Sequence, residues 1–194
     1  MKKLNQKGLL FAVLLVPFVS GCAVLVAAGA AGVGAGVAMS QDRRTSGTYV
    51  EDEAIETKGG QRISEKYGDN VHANITSYNR NVLLTGEAPT EAAKDDIGDL
   101  VSRVEQVRSV INEMTVGTVS TFPSRSNDTL ITSKVKGRFL DGGDFQVNHV
   151  KVVTENGVVY LLGLVNRKEA ESAVRIASST SGVRKVVKVF EYTG

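Results

Sequence analysis

Beyond residue 45 the apolar positions of the chain fall into two kinds of pattern. Short continuous runs such as Asn81-Val82-Leu83-Leu84-Thr85-Gly86 and Val158-Val159-Tyr160-Leu161-Leu162-Gly163 read as strands. Stripes spaced by three and four read as helices. Ile131, Val135 and Phe139 form one such stripe, with Asp128 placed to cap the helix that carries them. Thr90 to Arg103 presents Ala93, Ile97, Leu100 and Val104 on one side, and Lys168 to Ser178 presents Ala170, Val174 and Ala177. Between the runs Val150–Thr154 and Val158–Leu162 stands Glu155-Asn156-Gly157, where Asn-Gly predicts a tight hairpin because both turn residues need positive φ. Val183 to Phe190 is a closing strand.

These patterns occur twice. The two strand runs ending in Gly86 and Gly163 lie 77 residues apart, and Ile75/Val152, His72/His149 and Asn79/Asn156 keep that offset. Asp52-Glu53-Ala54-Ile55 answers Asp128-Thr129-Leu130-Ile131 at 76, as Val107-Arg108-Ser109-Val110-Ile111 answers Val183-Arg184-Lys185-Val186-Val187. A register held to one residue over four segments indicates duplication. Each copy reads as helix, strand, strand, helix, strand, an α+β unit. A hairpin followed by a crossover makes a three-stranded mixed sheet covered on one face by two helices. In copy one the turn is replaced by Tyr78-Asn79-Arg80-Asn81, and Gly59-Gly60 interrupts the first helix. A copy of about 70 residues is small for a stable core. Packing of one copy on the other, or a lipid surface, would compensate.

The first forty-five residues lie outside this scheme. Lys2, Lys3 and Lys7 precede an apolar run, Gly8 to Val19, and then Val19-Ser20-Gly21-Cys22. A basic start, a short apolar stretch and small residues before a cut describe an export signal. The cysteine makes it resemble a bacterial lipobox. That resemblance implies diacylglyceryl transfer to the Cys22 sulfur, cleavage after Gly21 and acylation of the new amino terminus. Two or more acyl chains give a stable membrane anchor. Residue 23 is Ala where an Asp resembles an inner-membrane retention signal, so the resemblance implies the outer membrane, facing the periplasm. Val24 to Met39 is almost wholly Ala, Val and Gly. It reads as a small-residue tether or as a helix contact within the membrane. Its four glycines from Gly29 to Gly36 weaken a spanning helix by about 1 kcal/mol each. The predicted division is 1–21 signal, 22–45 acylated cysteine and tether, 46–116 first module, 117–127 linker, and 128–194 second module.

Composition removes several function classes. Of 194 residues 42% are hydrophobic and 23% charged, an ordinary globular balance. One Cys excludes an internal disulfide, and one Cys with two His cannot fill a zinc cage of those residue types. Both histidines occupy the same slot of the repeat, which gives neither a private catalytic role. The acidic clusters Glu51-Asp52-Glu53 and Asp95-Asp96-Asp99 read as helix-surface and capping residues. No nucleophile elbow, His-Glu-x-x-His or phosphate loop is present, so no enzyme activity, cofactor or metal is expected. Nucleic acid is not an expected partner, since the basic residues lack interleaved aromatics and export removes the chain from DNA.

The Asp-x-x-Ile helix starts, the Val/Leu runs ending in Gly86 or Gly163, and Gly182-Val183-Arg184-Lys185-Val186-Val187 resemble the BON domain, an αββαβ module of bacterial envelope proteins. A lipobox, an Ala/Gly stretch, Asp42-Arg43-Arg44-Thr45 and two such copies resemble a family of dual-BON outer-membrane lipoproteins. The resemblance implies no catalysis. It implies binding of anionic phospholipid, phosphatidylglycerol or cardiolipin, through the second module, and support of outer-membrane integrity, often at division sites.

Charge agrees with that implication. Residues 46–119 carry seven Lys/Arg and thirteen Asp/Glu, whereas residues 120–194 carry eleven and seven. The basic half favours an anionic surface by about 1 kcal/mol per cation near the headgroups. With Ile131, Val135 and Phe139 turned inward, the opposite flank of the helix holds Leu130, Ser133, Lys134, Gly137 and Arg138. An apolar side chain beside two cations suits an interfacial helix, and Gly137 would admit a headgroup closely. The alternative is a solvated face with Leu130 packed on the first copy. A rival functional reading makes the protein an adaptor whose acidic first module docks an envelope assembly or cell-wall protein.

Overall fold

The computed structural model describes residues 42–142 and 144–193. The segment holding the signal, Cys22 and the tether to residue 41 lies outside the described residues. The first module runs α1 (Ser46–Tyr67), β1 (His72–Tyr78), β2 (Asn81–Ala88), α2 (Glu91–Ser102), β3 (Ser109–Asn112) and a two-residue β4 (Thr115–Val116). The second runs α3 (Phe122–Gly142), β5 (Val150–Glu155), β6 (Val158–Val165), α4 (Arg167–Ser178) and β7 (Lys185–Tyr192). In both, the hairpin is antiparallel and the closing strand joins the central one in parallel: β1-β2-β3 and β5-β6-β7. Ala73 faces Gly86 and Val150 faces Gly163, so the offset of 77 is a matched strand register. The expected tandem αββαβ architecture is the observed one.

The continuous apolar runs are explained by burial on both faces of each central strand. Val82 and Leu84 turn toward α1 and α2, where they meet Ile55, Ile63, Ile97 and Val101. Val159 and Leu161 do the same beneath α3 and α4, against Ile131, Val135, Phe139 and Ala173. The alternate residues Leu83, Tyr160 and Leu162 join Tyr78 in a third buried cluster, flanked by Ile111, Val153 and Val187. That cluster lies between the two sheets. Each module therefore covers the open sheet face of the other, and each fully buried Leu in the seam contributes about 1.5–3 kcal/mol over exposure. Both modules belong to one compact unit.

Four expectations need correction. Helix α1 runs unbroken through Gly59-Gly60. Gly59 faces the sheet so closely that a Cβ there would lie 2.8 Å from Ile75 Cδ1, while Gly60 is open to solvent. Burial of Ile55 and Ile63 on either side outweighs the poor helix propensity of the pair. Helix α3 starts at Phe122, inside the segment read as linker, with Pro123 in its first turn where no donor is required. Asp128 is consequently no cap. Nor is Asp52 a surface residue: both aspartates are buried at mid-helix. Asp52 accepts from Asn79 N and Arg80 N at 2.9 and 2.8 Å, and Asp128 from Asn156 N and Gly157 N at 2.8 Å each. Each carboxylate thus pins its module's hairpin turn to its first helix. The turns share one geometry, with φ of 52° and 65° at Asn79 and Arg80, and 47° and 71° at Asn156 and Gly157.

Candidate functional site

Three local features stand apart from the two cores: the outer face of α3, the junction ahead of α1, and a polar cluster between the modules.

On α3, Leu130, Ser133 and Gly137 lie opposite the buried stripe Ile131, Val135 and Phe139, Lys134 stands to one side of them, and Arg138 falls beside the stripe itself. Leu130 is 60% exposed, so it does not pack on the first module. Two further apolar residues join it, Phe122 at 76% and Leu140 at 73% exposed. At about 100° per residue these three fall within roughly 80° of one another, with Ser126, Ser133 and Gly137 between them. Lys134 and Arg138 border the arc on one side, and Arg125 and Lys136 on the other; Asp141 is the single acid near its end. Ser133 Oγ turns back to Thr129 O at 2.9 Å. Nothing lies within 4 Å of a Cβ placed on Gly137, so packing places no demand for glycine there. Arg138 is already engaged: it donates to Ile176 O at 3.1 Å and Thr180 Oγ1 at 2.9 Å, tying α3 to the end of α4. Lys134 and Lys136 make no ion pair among the described residues. Sequence reading missed Phe122 because it fell in the supposed linker. It missed Leu140 because that residue adjoins a core phenylalanine. Extending the helical period in both directions from Leu130 would have found both.

The junction is built by Asp42-Arg43-Arg44-Thr45. Thr45 caps α1 by accepting from Thr48 N at 3.1 Å. Arg44 pairs with Asp52 at 2.8 Å and Asp42 at 2.7 Å while its guanidinium lies over the Tyr78 ring, all in the first module. Arg43 reaches into the second, donating to Glu169 through both terminal nitrogens at 2.7 and 2.8 Å and to Leu164 O at 2.7 Å. Burial alone would raise the Glu169 carboxyl; the Arg43 bonds, the Asn166 amide and the charges of Arg43 and His149 outweigh it and hold it below 4.5. A carboxyl lowered on folding stabilises the fold above its ordinary pKa and ceases to do so as pH falls through the lowered one. The melting-temperature gap between wild type and Glu169→Gln is therefore expected to be full near neutral pH and to close progressively below pH 4.5. Calorimetric melts across that range check it.

Between the modules Asn74 donates to Glu155 at 2.8 Å and Asn156 to Glu87 at 2.9 Å, each across the seam. Lys151 pairs with Glu56 at 2.8 Å, and Asn79 donates to Glu191 at 2.8 Å. His72 Nδ1 lies 3.0 Å from Glu87 Oε2, which also accepts from Ser120 N at 3.1 Å. The repeat-related His149 instead meets Glu169 at 3.5 Å. The two histidines keep one slot but take their carboxylates from different elements.

Residues 51–118 and 127–194 each match the BON domain. The chain belongs to the BON-domain family. It is 40% identical over 177 residues, nine-tenths of both chains, to outer membrane lipoprotein DolP of Haemophilus influenzae. It is 34% identical over 153 residues to a 21 kDa hemolysin of Actinobacillus pleuropneumoniae, covering 78% of this chain and 79% of that one. With osmotically-inducible protein Y of Escherichia coli the identity is 27% over 161 residues and 78% of each chain. The two BON matches and the DolP relative support the class read from the sequence, a dual-BON outer-membrane lipoprotein. Among the described residues no helix is long and apolar enough to cross a membrane.

Proposed function

We propose that this lipoprotein is held at the periplasmic face of the outer membrane by acylated Cys22 and that α3 reads anionic phospholipid there. Phosphatidylglycerol and cardiolipin are the ligands, and support of envelope integrity, at division sites among others, is the role. The observation that carries the reading is the outer face of α3, where Phe122, Leu130 and Leu140 stand exposed between cations. Apolar side chains of a surface helix reach the acyl boundary while lysines meet phosphates above it. Lys134, Lys136 and Arg125 make no ion pair among the described residues and serve that purpose, while Arg138 mainly holds the helix in place. Gly137 leaves a gap in the helix surface at the centre of the arc, which a headgroup fills.

The test is flotation, with phosphatidylglycerol vesicles, of the soluble part of the chain from residue 42 onward, which lacks acylated Cys22 so that binding reports on α3 alone. Leu130→Glu removes an exposed leucine that would be buried at the acyl boundary and adds a charge, and is expected to weaken binding about ten- to a hundredfold, from the roughly 1.5–3 kcal/mol of apolar burial lost. Leu130 is 60% exposed and belongs to none of the buried clusters, so the fold is expected to survive the change. Binding that is indifferent to Leu130→Glu and to Lys134→Glu would overturn the α3 assignment. It would transfer the function to the adaptor reading, in which the acidic first module meets a protein partner of the envelope.

A further inference from the structure

We propose that His72, Glu87 and Glu155 form a divalent-metal site of the zinc type that bridges the two modules. His72 opens β1 and faces Glu87 directly across the hairpin, in register. Glu155 ends β5 in the other module. One donor atom from each lies within 4.8 Å of the other two. Donors on a tetrahedral ion at about 2.0–2.2 Å stand about 3.2–3.6 Å apart, so side-chain adjustments of an ångström or so complete the triad.

The charge of the cluster asks for a cation. Glu87 is 4% and Glu155 6% exposed, and among the described residues no Lys or Arg lies within ion-pair distance of either. Buried carboxylates are costly unless paired. The repeat supplies an internal contrast. In the second module His149 faces Glu169 of α4 instead, and there Arg43 binds the carboxylate on both oxygens. No arginine performs that service here: Glu87 is held by Asn156, Ser120 N and His72, and Glu155 by Asn74 alone. Glu155 uses only Oε2, toward Asn74, and its Oε1 has no hydrogen-bond partner among the described residues.

Access is present as well. A cavity of about 470 Å³ between α3 and the strand ends is lined by His72, Asn74, Glu155, Thr132, Arg125 and Lys136. It gives an ion an entry path and leaves room for water on the open coordination position. One imidazole and two carboxylates suit zinc better than calcium, which takes six to eight oxygens, or magnesium, which keeps most of its water. The count of His and Cys in the sequence excluded a cage of those residues, but it did not weigh carboxylates 15 and 83 positions after His72. Because the ligands come from both modules, a bound ion cross-links them and raises the stability of the folded chain by mass action.

The experiment uses the full chain in detergent, stripped with chelator and then titrated with zinc chloride or magnesium chloride in a calorimeter. Melting is followed in parallel. One zinc ion per chain, no comparable magnesium uptake and a zinc-dependent rise in melting temperature are expected. His72→Ala and Glu155→Gln should each weaken zinc binding about tenfold or more and abolish the rise, while His149→Ala leaves both intact. Melts of chelated variants show whether each folds, and either folded variant suffices for the test. Absence of saturable zinc binding, or binding unchanged in a folded His72→Ala or Glu155→Gln protein, overturns the proposal. Neither result bears on vesicle binding by α3.

Discussion

Asp52→Ala is expected to lower stability by about 3–6 kcal/mol, equivalent to a melting-temperature loss of roughly 10–20 °C for a chain of this size. The carboxylate is buried in the middle of α1 and has four donors. Ser77 Oγ and Arg80 N bind one oxygen at 2.6 and 2.8 Å, and Asn79 N and Arg44 NH1 bind the other at 2.9 and 2.8 Å. Truncation leaves two turn amides without acceptors at roughly 1–3 kcal/mol each and strips Arg44 of its deeper partner. The turn it supports is already strained, since Arg80 adopts φ of 65° in a position that usually takes glycine. Asp128→Ala removes a similar pin from a turn in which Gly157 bears the positive φ without strain, so its cost should be smaller. Asp52→Asn keeps one acceptor oxygen but turns an amide donor toward a donor, and should recover only part of the loss. Thermal melts of the three variants order them. An Asp52→Ala loss near 1 kcal/mol would show that water replaces the carboxylate.

Gly86→Ala is the second large effect, expected at about 3–5 kcal/mol. Its φ is +112°, a conformation L side chains rarely adopt, and a Cβ there would lie 1.9 Å from the His72 carbonyl oxygen and 2.8 Å from its carbon. Those are backbone atoms of the paired strand, which cannot rotate away as a side chain could. Relief requires the β1–β2 ladder to open where Ala73 faces Gly86. Urea denaturation is the measure: the midpoint should fall while the slope is kept, since the surface exposed on unfolding is unchanged. A midpoint within experimental scatter of wild type would mean that the edge strand β1 moves aside freely.

These two positions also show what the chain discloses by itself. Gly86 and Gly163 end matching apolar runs, so the duplication, the hairpins and the strand register could all be read from spacing. The helix stripes could be read too, because α3 and α4 bury residues at regular intervals. The role of Asp52 and Asp128 could not. An aspartate ahead of an apolar stripe looks like a cap. It becomes a turn pin only once the helix is known to start several residues earlier and the hairpin to fold beneath it. The seam contacts are less visible still. Asn74 and Glu155 are 81 residues apart, and Arg43 and Glu169 126 apart. Such pairs follow no local period and emerge only when two sheets have already met. On α3, Leu130 stood out because cations surround it, whereas Phe122 and Leu140 gained meaning from the full length of the helix.

The adjacent arginines at the head of the first helix have a mechanical consequence. Arg44 grips one sheet-and-helix layer and Arg43 the other, within a few residues of where the chain arrives from its amino side. Traction applied along the polypeptide ahead of Asp42 is therefore divided between both halves of the molecule at its point of entry, and neither half is peeled from its twin before the pair of guanidinium grips lets go.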